Sequence, residues 1–235
     1  MMEAKAYNQS SLENVVEKTI RKWQIEQKKK YKNPIRPVIT MSRLPGAMGS
    51  DLAHKLAADL QIDLYDHEIV EEIARNANVS QRIVESLDEQ DRSVLDDWIS
   101  SLGEYHMWAY DYLGQLTRVI CAIGTHGHSI IIGRGAGYIL PRDVSLRILV
   151  VAPLEVRVGK VMLKYGVSEQ DARRNIMRSE AERRAFIRKY FQADLTEPTN
   201  YDLVVNTENT DIDIAARVIK EVFNSRHWYD YRISK

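Results

Sequence analysis

The segment "VITMSRLPGAMGSDLAHKLAADL", residues 38–60, decides the fold, because it joins a short apolar run to an amphipathic run through a loop that contains two glycines. The β-branched and apolar residues at 38–42 predict a buried strand, and the apolar spacing after the loop predicts a helix. A loop in this position can wrap an anion, since small residues let backbone N–H groups approach it and the helix N-terminus adds partial positive charge. The segment therefore has the position of a phosphate-binding loop.

The residues of this loop depart from the usual phosphate-binding pattern, G-x-x-x-x-G-K-[ST], whose lysine binds the outer phosphates and whose hydroxyl binds magnesium. When the hydroxyl is placed at Ser50, Arg43 takes the first glycine position. Met48 then takes the second glycine position, and Gly49 takes that of the lysine. Taken alone, the loop is better explained as a strand-to-helix turn built on Gly46 and Gly49.

The overall composition excludes several classes of partner. The 33 basic and 33 acidic side chains cancel, so no global field attracts nucleic acid or an anionic membrane. Cys121 is the single cysteine, which rules out an intrachain disulfide and favours a buried thiol in a reducing compartment. No apolar run approaches the roughly 20 residues that span a bilayer. We therefore expect a cytoplasmic globular protein in which any site for a polyanion is local.

Five short apolar runs predict the strands of one sheet. Helical patterns, and not hairpin turns, separate them, which is typical of an α/β fold with a parallel sheet and helices on both faces. The runs are residues 38–42, 62–65, 129–133, 146–152 and 201–207.

The gaps between these runs indicate how the chain is organised. Residues 1–35 are expected to form an accessory helix and a linker that ends at the prolines of "NPIRP", and residues 36–235 the main domain. Residues 66–128 hold about three helical patterns, at 66–77, 80–102 and 108–124. This is more than one crossover between parallel strands needs, and so predicts an inserted helical subdomain. Residues 165–191 form a helical segment crowded with arginines.

A second strand end has features similar to the first. The run "IIIGRGAGYIL", residues 130–140, is a buried strand that ends in glycines beside Arg134. In open α/β sheets, ligands bind outside the carboxyl ends of the strands, where Arg134 would join the 46–50 loop and Asp66. Residues 165–191 could fold over this edge as a lid. Because the planar guanidinium group suits phosphate oxygens, these features suggest a phosphorylated substrate.

Five motifs occur in a set order: "ITMSRLPGAMGSDLAHKLAADLQIDLYDHEIVEEIA", "IIIGRGAGYIL", "LRILVVAPLEVRVGKVM", "YGVSEQDARRNIMRSEAERRAFIRKYF" and "PTNYDLVVNT". Together they resemble the cytidylate kinase-like family of P-loop nucleoside monophosphate kinases, over about residues 36–223. The resemblance implies a P-loop kinase three-layer fold with a five-stranded parallel sheet, a helical monophosphate-binding insertion at 66–128 and a mobile lid at 165–191. It also implies transfer of the ATP γ-phosphoryl group to a nucleoside monophosphate, with Mg²⁺ as cofactor.

The resemblance further implies roles for individual residues. Arg134 matches the arginine that holds the acceptor phosphate, and Asp66 follows the second strand, where the family carries an aspartate that faces the acceptor. In the lid, Arg178 and Arg183 fall near the arginines that neutralise the transferring phosphoryl group, and Glu182 falls near an acidic lid residue. The donor-binding loop, with Ser50 as the magnesium ligand, comprises Arg43, Gly46, Ala47, Met48, Gly49 and Ser50.

The chain departs from the family's pattern at several positions. Relatives commonly have "GSGGR" where this chain has "GAMGS", so Met48 replaces a glycine and brings a Cβ that makes a positive φ costly. If the arginine of the relatives replaces the usual lysine, Ser50 occupies the place of that cation. Arg43 either reaches the phosphates or pairs with a carboxylate. Gly135 replaces an aspartate of cytidylate kinases proper, which leaves specificity for cytosine unsupported.

Two hypotheses about function follow. Under the first, the protein is a magnesium-dependent kinase that uses ATP to phosphorylate a nucleoside monophosphate. Under the second, it is a non-catalytic or regulatory nucleotide-binding protein that kept the fold after its loop drifted. A homodimer built from the first helix, the aromatic segment 104–112 and the tail 226–235 is compatible with both. His126 and His128 are better explained by a turn before a strand than by a metal site.

Overall fold

A computed structural model describes residues 9–27, 37–102 and 112–228 of the chain. Within these ranges, five strands form one parallel sheet, in which the order across the sheet is second, third, first, fourth and fifth along the chain. The strands that the sequence predicts are therefore confirmed: β1 (Val38–Arg43), β2 (Asp63–Tyr65), β3 (Ser129–Ile132), β4 (Ser145–Val151) and β5 (Leu203–Asn206).

Helices connect these strands, and four of them form the segment between β2 and β3. No helix among the described residues is both long enough and apolar enough to cross a membrane. The helices are α1 (Gln9–Gln27), α2 (Gly49–Leu60), α3 (His67–Arg75), α4 (Ala77–Glu85), α5 (Glu89–Ser101), α6 (Tyr112–His126), α7 (Ala136–Ile139), α8 (Leu154–Tyr165), α9 (Glu169–Phe191) and α10 (Ile212–Ser225).

Two apolar cores lie on opposite faces of the sheet. Neighbouring residues of one strand alternate between them, so that Val38 of β1 belongs to the first core and Ile39 to the second. The first core contains side chains from α1 and from α3 to α7, and the second contains side chains from α2 and α10. Strands that are buried on both faces explain why the sequence shows apolar runs instead of strict alternation. The predicted helices on both faces are thus confirmed.

The register of the strands brings three loops to one edge of the sheet. Met41 of β1 pairs with Ile132 of β3 and with Ile148 of β4, and Tyr65 of β2 pairs with Ile131. Because all five strands are parallel, the chain leaves β1, β2 and β3 on the same side. The segments that follow these strands therefore meet at the carboxyl edge of the sheet, where ligands bind in open α/β folds.

Two long helical patterns differ in detail from the prediction. Residues 80–102 do not form one helix, because Asp88 begins α5 by accepting a hydrogen bond from the Asp91 backbone N–H at 2.8 Å. In the arginine-rich segment, Gly166 ends α8 with a φ of 65°, and Ser168 caps the 23-residue helix α9. The predicted lid therefore comprises the end of α8 and the long helix α9, which begins at its own N-cap.

Helix α1 packs against the helical segment between β2 and β3. Trp23 is buried, and its ring stacks on that of His126 with centroids 4.2 Å apart. Lys22 pairs with Asp63 of β2 at 2.7 Å. His126 therefore contributes to packing at the start of β3. Most of the aromatic segment 104–112 and the end of the tail lie outside the described residues, so the homodimer stays a prediction.

Candidate functional site

The loop between β1 and α2, residues 43–50, is called the glycine loop below, and it adopts a left-handed turn at two positions. Gly46 has a φ of 81° and Met48 a φ of 62°. A Cβ atom built at Gly46 would lie 2.9 Å from the carbonyl oxygen of Arg157, so only glycine fits there. Met48 takes the conformation that its Cβ disfavours, at a cost of about 1–2 kcal/mol. The turn of the glycine loop is thus kept although one of its glycines is absent.

Side chains from other elements hold the glycine loop in place. The Thr207 hydroxyl donates to the Ala47 carbonyl at 3.0 Å, and the Lys160 ammonium donates to the Thr207 carbonyl at 2.7 Å. From α8, the Arg157 guanidinium donates to the Pro45 carbonyl at 3.2 Å. Met48, Gly49 and Ser50, at the start of α2, line the larger cavity described below, and the N-terminus of a helix is a general site for anion binding.

The side chain of Arg43 turns away from the glycine loop. Its Nη2 donates to Nδ1 of His67 at 3.0 Å, and its Nη1 would lie 2.8 Å from a Cβ atom built at Gly133. A Cβ atom at Gly49 would lie 2.6 Å from the Cβ atom of Arg43. The stem of Arg43 therefore occupies the space that a side chain at the lysine position of the pattern would need. The positive charge of this segment lies at the end of β1 and not at the start of α2.

Two further arginines approach Arg43 at the same edge. Arg183 of α9 donates from Nη1 to the Arg43 carbonyl at 2.9 Å. Arg134 follows β3 with a φ of 50°, between two glycines that also have positive φ, and its guanidinium contacts the carboxylate of Glu71. We call Arg43, Arg134, Arg183 and His67 together the arginine edge.

Burial and like charge weaken protonation at the arginine edge. Burial, followed by repulsion from Arg183 and Arg134, lowers the pKa of Arg43 from 12.5 to about 9. Burial and the charge of Arg134 lower the pKa of Arg183 to about 10. Burial and then the three arginines lower the pKa of His67 to about 3. At neutral pH the arginines are cations and His67 is neutral. Because Nδ1 accepts from Arg43, the imidazole proton is on Nε2.

Two adjoining cavities open at this edge, with volumes of about 730 Å³ and 270 Å³. The larger one extends from the glycine loop to Lys160 and Lys164 of α8, and the smaller one extends under α9 to Phe186 and Leu195. The arginine edge separates them. The residues that border both are Arg43, His67, Ser179, Glu182 and Arg183.

Most residues that the sequence nominates line these two cavities. Ala47 is a buried residue of the glycine loop, and its carbonyl accepts a hydrogen bond from the Thr207 hydroxyl. Asp66 lines the large cavity while its Oδ1 caps α3 by accepting from two backbone N–H groups at 3.0 and 2.9 Å. Arg134 lines the small cavity. Those in the large cavity are Arg43, Gly46, Met48, Gly49, Ser50, Asp66, Arg178, Glu182 and Arg183.

Several residues at the site were not nominated from the sequence, and His67, Arg157 and Lys160 are instructive examples. His67 directly follows Asp66 at the end of β2, so its position in the chain was a usable signal. Arg157 and Lys160 face the glycine loop from α8, about a hundred residues further along the chain. No local pattern relates these two residues to the loop, because only the pairing of β1 with β4 brings α8 beside it.

The large cavity offers oxygen ligands of the kind that Mg²⁺ prefers. The Ser50 hydroxyl lies at the start of α2, and the carboxylates of Asp66 and Glu68 line the same cavity. Hydroxyl, carboxylate and water oxygens beside a phosphate group are the usual ligand set for this ion. Among the described residues, no group of three or more His, Cys, Asp or Glu side chains is arranged to hold a metal ion, so these oxygens suit Mg²⁺ only as a partial ligand set that phosphate and water oxygens would complete.

Comparisons with known proteins identify relatives of this chain and a solved structure that shares its fold. The sequence model of the cytidylate kinase-like family matches residues 38–209. The chain is 28% identical over 173 residues to a cytidylate kinase of Methanosphaerula palustris, covering 72% of this chain and 88% of that protein. It is 26% identical over 175 residues to a cytidylate kinase of Pyrococcus horikoshii, covering 72% and 79%. A crystal structure of an uncharacterized protein from Eubacterium ventriosum shares the fold, with a TM-score of 0.58 and 20% identity over 81% of this chain and all of that one.

Proposed function

The chain belongs to the cytidylate kinase-like family, and from this premise we propose that it transfers the γ-phosphoryl group of ATP to a nucleoside monophosphate with the help of Mg²⁺. The family supports a kinase-like phosphotransferase in general. The observation that carries the finer proposal is the meeting of the glycine loop and three arginines at one pair of adjoining cavities.

The glycine loop is proposed to bind the donor phosphates. Its backbone N–H groups and the N-terminus of α2 supply partial positive charge, which does not depend on a lysine side chain. Ser50, Asp66 and Glu68 would hold the magnesium ion, which, when bound, neutralises charge on the donor phosphates. Lys160 lines the same cavity and supplies a cation from α8.

The arginine edge is proposed to bind the acceptor phosphate and the transferring group. Phosphoryl transfer needs little covalent chemistry from the protein, so positioning and charge neutralisation provide most of the rate. Arg134 and Arg43 would hold the acceptor phosphate, and Arg183 lies between them and the glycine loop. Because repulsion from neighbouring arginines lowers the pKa values of Arg43 and Arg183, a bound anion would relieve that repulsion.

Helix α9 is proposed to act as the lid. It contacts the glycine loop through the bond from Arg183 to the Arg43 carbonyl. A second connection runs from Arg157 of α8 to the Glu180 carboxylate at 2.9 Å. A lid that carries a charge-neutralising arginine couples exclusion of water to completion of the site. Arg178 and Glu182 lie on the same helix and line the large cavity.

The experiment that tests the proposed function is ADP release from ATP and Mg²⁺, with CMP, dCMP, UMP, AMP and GMP offered one at a time. We expect acceptor-dependent ADP formation that is lost in Arg134→Ala. The matched control is Arg174→Ala, because Arg174 is exposed on α9 and pairs with Asp171 of the same helix. Turnover that is equal in wild type and Arg134→Ala would contradict the assignment.

A second function is favoured by two features of the glycine loop. Met48 has a left-handed backbone conformation, and the Cβ of Arg43 leaves no room for a side chain at position 49. A loop that keeps its turn but has no lysine also suits a protein that binds nucleotide without turnover. This alternative expects saturable ATP binding by calorimetry and no ADP release with any acceptor. Sustained ADP formation beyond one equivalent of enzyme would exclude it.

A further inference from the structure

The arginines at this end of the sheet differ in the charge of their partners. Arg134 contacts the Glu71 carboxylate, and Arg157 contacts the Glu180 carboxylate at 2.9 Å. Arg43 instead donates to the imidazole Nδ1 of His67. An arginine that is bonded to a carboxylate shares its positive charge with that partner, so it attracts a further anion less strongly than an arginine that is bonded to a neutral acceptor.

A histidine at position 67 suits this purpose better than other polar residues would. A lysine there would add a fourth cation to three that already repel one another. An aspartate would hold Arg43 more strongly, but it would also neutralise the charge. The neutral imidazole accepts one hydrogen bond from Arg43 and has a second ring nitrogen that carries a proton. His67 borders both cavities.

We propose that His67 is a positioning residue that holds Arg43 as an uncompensated cation for the acceptor phosphate, with Nδ1 accepting from Arg43 and Nε2–H donating to the same phosphate. Because Arg43 can only donate, the 3.0 Å bond between its Nη2 and Nδ1 of His67 requires Nδ1 to carry no proton, so the imidazole in this arrangement is neutral. The carboxylates of Asp66 and Glu68 offset only part of the fall in the pKa of Arg43. The inference rests on the proposed function for the identity of the acceptor, but not for the binding of an anion.

The decisive comparison is between two substitutions of similar size. His67→Asp gives Arg43 a stronger partner and removes its net charge, whereas His67→Asn offers a neutral amide oxygen near the position of Nδ1. A purely structural role for His67 predicts that aspartate serves at least as well as asparagine. The proposed role predicts that His67→Asp binds anions more weakly than His67→Asn does. It also predicts that His67→Asp is at least as stable to unfolding as His67→Asn.

The experiment is calorimetric titration of inorganic phosphate and of CMP into the wild type and the two variants, with urea denaturation of each. We expect His67→Asp to unfold at the same or a higher urea concentration than wild type and to bind both anions about tenfold to a hundredfold more weakly, the usual effect of losing hydrogen bonds to a charged group. We expect His67→Asn to lie within about tenfold of wild type, since it loses one neutral donor.

Each other outcome overturns a different statement. Equal anion affinity in wild type and His67→Asp would overturn the role of His67, whatever the kinase assay shows. Weaker binding in His67→Asp, combined with no ADP release from wild type with any acceptor, would support the role of His67 and overturn the proposed kinase. Failure of the wild type to bind either anion would overturn both. If turnover occurs, the KM for the acceptor should rise in His67→Asp while the KM for ATP stays near that of wild type.

Discussion

The glycine loop and the arginine edge are neighbours, yet they differ in the source of their positive potential. The glycine loop has left-handed turns at Gly46 and Met48 and the N-terminus of α2, but its lysine position is a glycine. The arginine edge has three cations, of which Arg134 and Arg183 help to lower the pKa of Arg43, and Arg134 helps to lower the pKa of Arg183. Arg43 belongs to both regions, since its backbone is in the loop and its guanidinium is at the edge. The difference teaches that the backbone keeps its turn without a lysine at position 49, while the cation of this segment is the Arg43 guanidinium at the end of β1.

The largest expected effect comes from removing the cation that α9 brings to the edge. Arg183→Ala should lower kcat/KM by about a thousandfold, in the range that mobile arginines contribute to phosphoryl transfer. Steady-state ADP release measures it, and Arg174→Ala on the same helix is the control and should behave like wild type. A loss of less than about tenfold in Arg183→Ala would show that the edge does not serve the transferring group.

Restoring a lysine to the glycine loop should have the next largest effect, on the stability of the fold. Gly49→Lys restores the lysine of the pattern, but its Cβ would lie 2.6 Å from that of Arg43. We expect the free energy of unfolding in urea to fall by about 1–3 kcal/mol, the usual cost of overpacking. The cost should largely disappear when Gly49→Lys is combined with Arg43→Gly, because the second substitution removes the opposing stem.

The control for this pair is Gly159→Lys in α8, where a built Cβ meets no described atom within 4 Å. This variant should be as stable as wild type or slightly more stable, since lysine favours a helix more than glycine does. If Gly49→Lys were as well tolerated as Gly159→Lys, the contact between positions 43 and 49 would not explain the missing lysine.

A smaller effect is expected from the protonation of His67. Its pKa is about 3 in the folded protein, below the 6.5 of an exposed histidine. Between these values the unfolded chain binds a proton that the folded chain does not, so stability falls as pH falls below about 6.5. We expect a loss of up to about 1.4 kcal/mol per pH unit from this group. Urea denaturation of wild type and His67→Asn at pH 7.5 and 5.5 isolates the contribution of His67 to this loss of stability. Equal losses in the two proteins between these pH values would contradict the prediction.

The smallest effect concerns the strained turn of the glycine loop. Met48→Gly should raise the free energy of unfolding by about 0.5–1 kcal/mol, because glycine adopts a positive φ without steric cost. Gln192→Gly is a matched control, since Gln192 ends α9 with a φ of 52° far from the loop. Both variants should gain stability in thermal unfolding. A gain in Gln192→Gly and a loss in Met48→Gly would mean that the native loop does not have this left-handed turn.

The sequence was sufficient for the sheet, because strands buried on both faces leave apolar runs that few other structures produce. It was also sufficient to nominate Arg134 and Asp66, since each directly follows a predicted strand and parallel strands end at one edge. Arg183 was nominated through the family resemblance, which aligned the arginine-rich segment with a lid. Local patterns and a family's order of motifs are therefore enough when a residue's place in the chain determines its place at the edge.

Sequence reasoning did not reach the features that depend on packing between distant segments. The direction of the Arg43 side chain is determined by the space left at Gly49 and Gly133, which no spacing rule reports. Arg157 contacts the glycine loop, and Lys160 contacts Thr207 beside it, only because β4 pairs with β1. The break before Asp88 was missed because a single helix cap is a weak signal inside a long amphipathic pattern. These features required coordinates.

The most direct test of the account is to measure, by calorimetry, how Arg43→Gln changes the dissociation constants of CMP and of ATP with Mg²⁺. If the relocated cation serves the acceptor, CMP affinity should fall by about tenfold or more while ATP affinity stays within about threefold of wild type. The opposite pattern, in which ATP affinity falls and CMP affinity is kept, would show that Arg43 replaces the lysine of the glycine loop and would contradict the account.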